Sequence, residues 1–98
     1  MSEQVLTADE VDRALAEQGI AWEHVGDELQ TSVTLHDFAA ALAFVNAVGA
    51  AAEAANHHPD IDIRWNTVRL ALSTHSAGGL TVLDLALAAA IDRLRPSR

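Results

Sequence analysis

Three of the five histidines in this 98-residue chain fall where acid-base chemistry can be assembled. His57 and His58 are adjacent and precede Pro59, His75 closes an alternating segment further on, and Asp84 follows a short loop later. An imidazole titrating near ~6.5 can both give and take a proton at neutral pH, and a carboxylate can orient it or pass its proton onward. Glu53 lies four residues before His57, a spacing that places two side chains on one helix face if the helix runs that far. A hairpin turning at Asn66-Thr67 would set residues whose numbers sum to about 133 opposite each other, and so His58 opposite His75. Three imidazoles and a carboxylate would then meet at one rim of a sheet.

Each residue also has a plain structural reading. Asp84 can be the N3 residue of a capping box, and Glu53 a solvated helix residue. His57 and His58 can form a polar helix end, where a protonated imidazole suits the dipole, and His75 can terminate a surface strand. Their convergence is what argues for a site. Zinc is the rival reading, but adjacent histidines lack the H-x-x-x-H spacing that aims two ligands at one ion, so no metal is expected. Ser73, Thr74 and Ser76 flank His75 without the Gly-rich turn of a nucleophile elbow, which argues against a hydrolase. His24 and His36 are read as surface positions. Of Trp22 and Trp65, at least one should pack in the core, while the other could stack on a flat heteroaromatic ligand.

The elements that must position these residues are legible from caps and periodicity. Thr7-x-x-Glu10 is a capping box flanked by Leu6 and Val11, and Gly19 is placed to end the helix it starts. Ile20, Trp22 and His24 alternate with polar or small neighbours, Gly26-Asp27 turns the chain, and Leu29, Thr31, Val33 and Leu35 alternate again, which predicts a hairpin. Apolar residues at helical spacing from Phe38 to Ala55 predict a long helix starting at Thr34 or Asp37, which must stop by His58 because Pro59 disfavours helical backbone before it. Ile61 to Trp65 and Val68 to Leu72 form a second alternating pair. Thr81-x-x-Asp84, flanked by Leu80 and Leu85, opens a last helix with Leu83, Leu87, Ala90, Ile91 and Leu94 on its apolar face and Pro96 at its end. The order αββαββα predicts an α+β fold: one domain over residues 1–98, with a four-stranded antiparallel sheet and three helices packed mainly on one face. The ββα unit occurs twice, a hint of internal pseudo-symmetry.

Composition narrows the function classes. Half the residues are hydrophobic, enough for one small core, and a small sheet with open edges favours self-association. There are no cysteines, so disulfides, thiolate metal sites and a cysteine nucleophile are excluded. Acidic residues outnumber basic ones 14 to 6, for a formal charge of -8, and such a field repels phosphate backbones; no direct nucleic-acid binding is expected. The acidic start MSEQVLTADE lacks the basic-then-apolar pattern of a secretion signal, which makes the cytoplasm the expected location. Phe38 to Ala55 is interrupted by Asn46 and Glu53 and falls short of the ~20 apolar residues that span a bilayer, so no membrane insertion is expected.

Glu53-Ala54-Ala55-Asn56-His57-His58-Pro59, then Trp65, Thr74-His75, Gly79-Leu80-Thr81 and Asp84, resembles the pterin-4a-carbinolamine dehydratase family. The likeness extends upstream through Trp22, His36-Asp37-Phe38 and Phe44, and Trp65 stands where members often have tyrosine. This resemblance implies that His57, His58 and His75 are the active-site histidines, with Asp84 as a supporting or proton-relaying carboxylate. It further implies a dehydratase that removes water from a 4a-hydroxytetrahydropterin, giving a quinonoid dihydropterin in tetrahydrobiopterin recycling, with no cofactor. Within that reading His57 is the principal acid-base group, His75 its partner, and His58 a ligand-orienting group. Glu53 would pair with the pterin's 2-amino edge, beside Trp22 or Trp65. Homodimers or homotetramers built through sheet edges or helices are implied as well. The alternative is a non-catalytic or bifunctional interaction module on the same fold, a transcriptional coactivator or assembly factor. An intact histidine set argues for the enzyme.

Overall fold

Helix starts in the computed structural model, which describes residues 4–96, sit where the capping signals put them. The first three residues of the N-terminal segment considered above lie outside the described residues. Thr7 caps α1 (Ala8–Gln18): its hydroxyl accepts the Glu10 N–H at 3.1 Å while the Glu10 carboxylate accepts the Thr7 N–H at 2.8 Å. Gly19, left-handed at φ 64°, closes the helix, and Ile20 N–H returns to Leu15 O. Of the two starts open for α2 (Phe38–Ala55), the chain uses Asp37, whose carboxylate accepts the Ala40 N–H at 2.8 Å.

The far end of α2 matters most for function. Asn56 adopts the left-handed conformation at φ 51°, its N–H bonds Glu53 O, and His57 N–H bonds Ala52 O at 3.1 Å. This pair of bonds is the Schellman arrangement, which satisfies two orphan carbonyls and reverses the chain at His57. Asn is one of the few non-glycine residues that tolerate this backbone. Asn56→Ala should therefore destabilise the fold by about 1 kcal/mol, whereas Asn56→Gly should be near neutral. Urea unfolding midpoints compare the two directly, and an alanine variant as stable as the glycine variant would refute this account.

β1 (Glu23–Val25), β2 (Glu28–Thr34), β3 (Asp60–Arg64) and β4 (Thr67–Leu72) make one antiparallel sheet in the order β1-β2-β4-β3, and α3 (Val82–Asp92) completes the order αββαββα. The two hairpins meet through their second strands, β2 and β4, in line with the pseudo-symmetry of the repeated ββα unit. Leu29 and Val33 of β2 and Val68, Leu70 and Leu72 of β4 are buried while their neighbours alternate outward. Ala41, Phe44, Val48 and Ala52 of α2, Val11 of α1, and Leu85, Leu87, Ala88 and Ile91 of α3 complete one core.

Several boundaries differ from expectation, each for a visible reason. β1 is short because the backbone at Ala21 finds side-chain partners: its N–H bonds the Asp92 carboxylate, and its carbonyl accepts the Thr31 hydroxyl and Arg95. The second hairpin turns at Trp65-Asn66, one residue before the expected Asn66-Thr67. Asn66 is tied to Leu35 by two bonds, Leu35 N–H to Asn66 O at 2.8 Å and Asn66 Nδ2 to Leu35 O at 3.0 Å, so Thr67 is already paired with Arg64. Trp65 takes the left-handed φ of 56° that this turn demands. α3 stops at Asp92, before Pro96, and Leu94 beyond it is exposed rather than part of a buried stripe.

Candidate active site

The Schellman turn at Asn56 directs His57 inward. Its Nε2 lies 2.6 Å from Asp84 Oδ1; the Asp84 side chain is fully buried and that of His57 is 11% exposed. Asp84 is held from the other side by α3. Its Oδ2 accepts the Thr81 N–H at 2.9 Å and the Thr74 hydroxyl at 2.7 Å. The capping-box role and the histidine-partner role were alternatives in the sequence; one carboxylate fills both, with one oxygen for each.

His75 follows Thr74 at the start of a turn that is pinned by Thr74–Gly79 pairing. Thr74 reaches the same carboxylate as His57, so His75 stands at the same rim, and it is exposed. His58 is also exposed there, with its Nε2 2.5 Å from Glu53 Oε2. His57, His58, His75, Asp84 and Glu53 thus gather at one end of the sheet.

The route to that convergence differs from the expected one. Facing residues of β3 and β4 sum to 131, as in Asp60↔Ala71, so extending the ladder would set His58 against Ser73 rather than His75. Asp84 instead ties His57 to Thr74, the residue before His75. Glu53 meets His58, not His57, because the helix ends at Ala55 and the left-handed residue swings His57 off the helix face.

Neither tryptophan joins the cluster. Trp22 is 6% exposed and packs in the core, where its Nε1–H bonds Asp92 Oδ1 at 2.8 Å. Asp92 is eight residues along α3 from Asp84, about 12 Å away at the helical rise. Trp65 is 67% exposed but sits in the turn at the other end of β3, about 17 Å of strand from the histidines, stacked on Phe38 with ring centroids 6.4 Å apart. Position in the chain could not reveal this, since both residues lie on hairpins.

Sequence reasoning gave Thr74 no role in the site, weighing it as a nucleophile and quoting it only beside His75 in the family resemblance. The one available signal was its place before His75 at the end of an alternating strand. His36 is exposed, as read; His24 is only partly so, its Nδ1 2.9 Å from Asp12 and its Nε2 2.9 Å from the Gly26 carbonyl. Among the described residues no three of His, Asp and Glu are arranged to hold a metal ion. A cavity of about 540 Å³ opens on the helix-free face of the sheet, lined by residues including Glu23, Ser32, Asp60, Asp62 and Arg69, with none of the histidines in its wall.

A family model described as pterin 4 alpha carbinolamine dehydratase matches residues 4–94. The chain belongs to that family. Its relatives include a Nocardia farcinica protein provisionally named pterin-4-alpha-carbinolamine dehydratase, 49% identical over 94 residues, covering 96% of this chain and 98% of the relative. A Chloroflexus aurantiacus protein of the same provisional name is 59% identical over 73 residues, covering 74% and 78% of the two chains. Among solved structures, a transcriptional coactivator/pterin dehydratase from Brucella melitensis superposes with a TM-score of 0.87 at 29% identity, covering 95% of this chain and all of that one. A pterin dehydratase-like protein described as a RuBisCO assembly factor in the alpha-carboxysome matches with a TM-score of 0.63 at 24% identity, over 79% of this chain and 89% of that one, which is a likeness of fold alone. The tandem histidines, the later histidine and the aspartate that carry the resemblance stand on the αββαββα frame.

Proposed function

We propose that this chain dehydrates a 4a-hydroxytetrahydropterin to the quinonoid dihydropterin and water by histidine acid-base catalysis, in tetrahydrobiopterin recycling. The observation that carries the reading is His57 anchored on a fully buried Asp84, with His58 and His75 at the same rim. In the reaction the C4a–O bond breaks as the nitrogen lone pair forms the C4a=N bond; one proton joins the departing hydroxide to make water, and one leaves nitrogen. Two positioned imidazoles supply that traffic, and no electrons change hands.

His57 is assigned to the proton transfer at the C4a hydroxyl and His75 to the complementary transfer. His58 orients the ligand, and Glu53, exposed beside it, offers a carboxylate to the guanidine-like 2-amino edge of the pterin. His58→Ala should accordingly raise KM at least as much as it lowers kcat. A loss confined to kcat would refute that role. The whole reading is tested by following dehydration of a synthetic 4a-hydroxytetrahydropterin by absorbance, above the uncatalysed background and with and without a chelator. Acceleration that survives chelation is expected; no acceleration by the wild-type protein would defeat the assignment.

A second reading, an interaction module on the same frame, draws on the coactivator and assembly-factor descriptions of the two structural relatives. A complete histidine and aspartate set favours the enzyme, alone or alongside such a role. Self-association through the exposed edges of β1 and β3 or through α2 accompanies the proposal.

A further inference from the structure

The two oxygens of Asp84 meet three partners, and behind them the hydroxyls of Thr74 and Thr81 lie 2.8 Å apart in a fully buried position. The direction of each proton follows by elimination. Thr74 Oγ1 gives its only proton to Asp84 Oδ2, at 2.7 Å, so toward Thr81 it can only accept. Thr81 Oγ1 must then donate to Thr74, and its own lone pair accepts the Leu83 N–H at 3.2 Å. Leu83, Thr81 and Thr74 thus form one oriented chain that ends on the carboxylate, joined there by the Thr81 N–H at 2.9 Å. No buried side-chain polar atom among the described residues is left without a partner.

From this arrangement we infer that Thr74 and Thr81 are positioning residues which hold Asp84 as an acceptor and thereby fix His57 in the Nε2–H tautomer. With Nε2–H committed to Asp84 Oδ1, Nδ1 is the ring nitrogen left for the ligand; it gives its proton to the C4a hydroxyl from the doubly protonated ring, which is left as this neutral tautomer. The inference deepens the dehydratase reading, on which the kinetic half of its test rests; the tautomer itself does not depend on it. Thr81 is also the helix cap, so Thr74 is the cleaner position to alter.

The test is Thr74→Val, which keeps the shape and removes the hydroxyl, with Thr74→Ser as the conservative rescue. Long-range proton–nitrogen NMR of the His57 ring in the full chain distinguishes the two neutral tautomers. Wild type and Thr74→Ser should show Nε2–H. Thr74→Val should show a mixture, and its kcat should fall roughly 10- to 100-fold, the usual worth of an orienting partner one step removed from the reacting group, with KM little changed. Thr74→Ala takes the place of valine if circular dichroism shows the valine chain to be unfolded. Nδ1–H in the wild type overturns the inference without any variant, as does a hydroxyl-free variant that keeps pure Nε2–H and full kcat. A serine variant as impaired as valine would also overturn it. A wild-type protein inactive on the pterin would instead defeat the proposed function, while the NMR result would still decide the tautomer.

Discussion

Replacing His57 with alanine should lower kcat for pterin dehydration by roughly 10²- to 10⁴-fold, the usual contribution of a positioned acid or base. His75→Ala should fall in the same range. The two variants differ in what else they disturb. His57 is mostly buried against Asp84, and its loss leaves Oδ1 of a fully buried carboxylate without its partner, which should cost about 1–3 kcal/mol of stability. His75 is exposed at the start of a turn whose bonds are all made by backbone, so its replacement should leave the unfolding midpoint unchanged. Activity loss in His75→Ala at wild-type stability would thus separate chemistry from folding. Full activity in both variants would defeat the proposed site even with the family membership intact.

The largest effect on stability is expected at Asp84. Alanine there removes the acceptor of three donors at once: the Thr74 hydroxyl, the Thr81 N–H and His57 Nε2. The first two are left deep in the protein, where water does not reach, and α3 also loses half of its capping box. A loss of about 3–5 kcal/mol is expected, a large share of the stability a domain of this size possesses. The thermal midpoint should drop by more than about 10 °C. Asp84→Asn, which keeps the volume and one acceptor oxygen, should lose less stability while still impairing turnover, because its amide cannot accept from every donor. An alanine variant that melts with the wild type would show that the buried network contributes little and that Asp84 serves the ligand alone.

Local physics made much of this protein readable in its sequence. Capping pairs such as Thr7 with Glu10 and Thr81 with Asp84 act over three residues, and Gly19 ends its helix by backbone sterics alone, so the helix starts and the end of α1 needed no tertiary information. Period-two alternation marked both hairpins, and the tandem histidines with His75 and Asp84 marked the family. Tertiary structure decided what depends on partners distant in sequence. Pairing of β2 with β4 joins segments that no turn connects, and the tie of Asn66 to Leu35 moved the second turn by one residue. Trp22 went to the core because Asp92 meets its ring nitrogen from the far end of α3, and Trp65 went to Phe38 at the end of the sheet away from the histidines. Thr74 became part of the site only because folding buries its hydroxyl beside Asp84, where a polar group must find a partner and a single direction of proton donation satisfies them all.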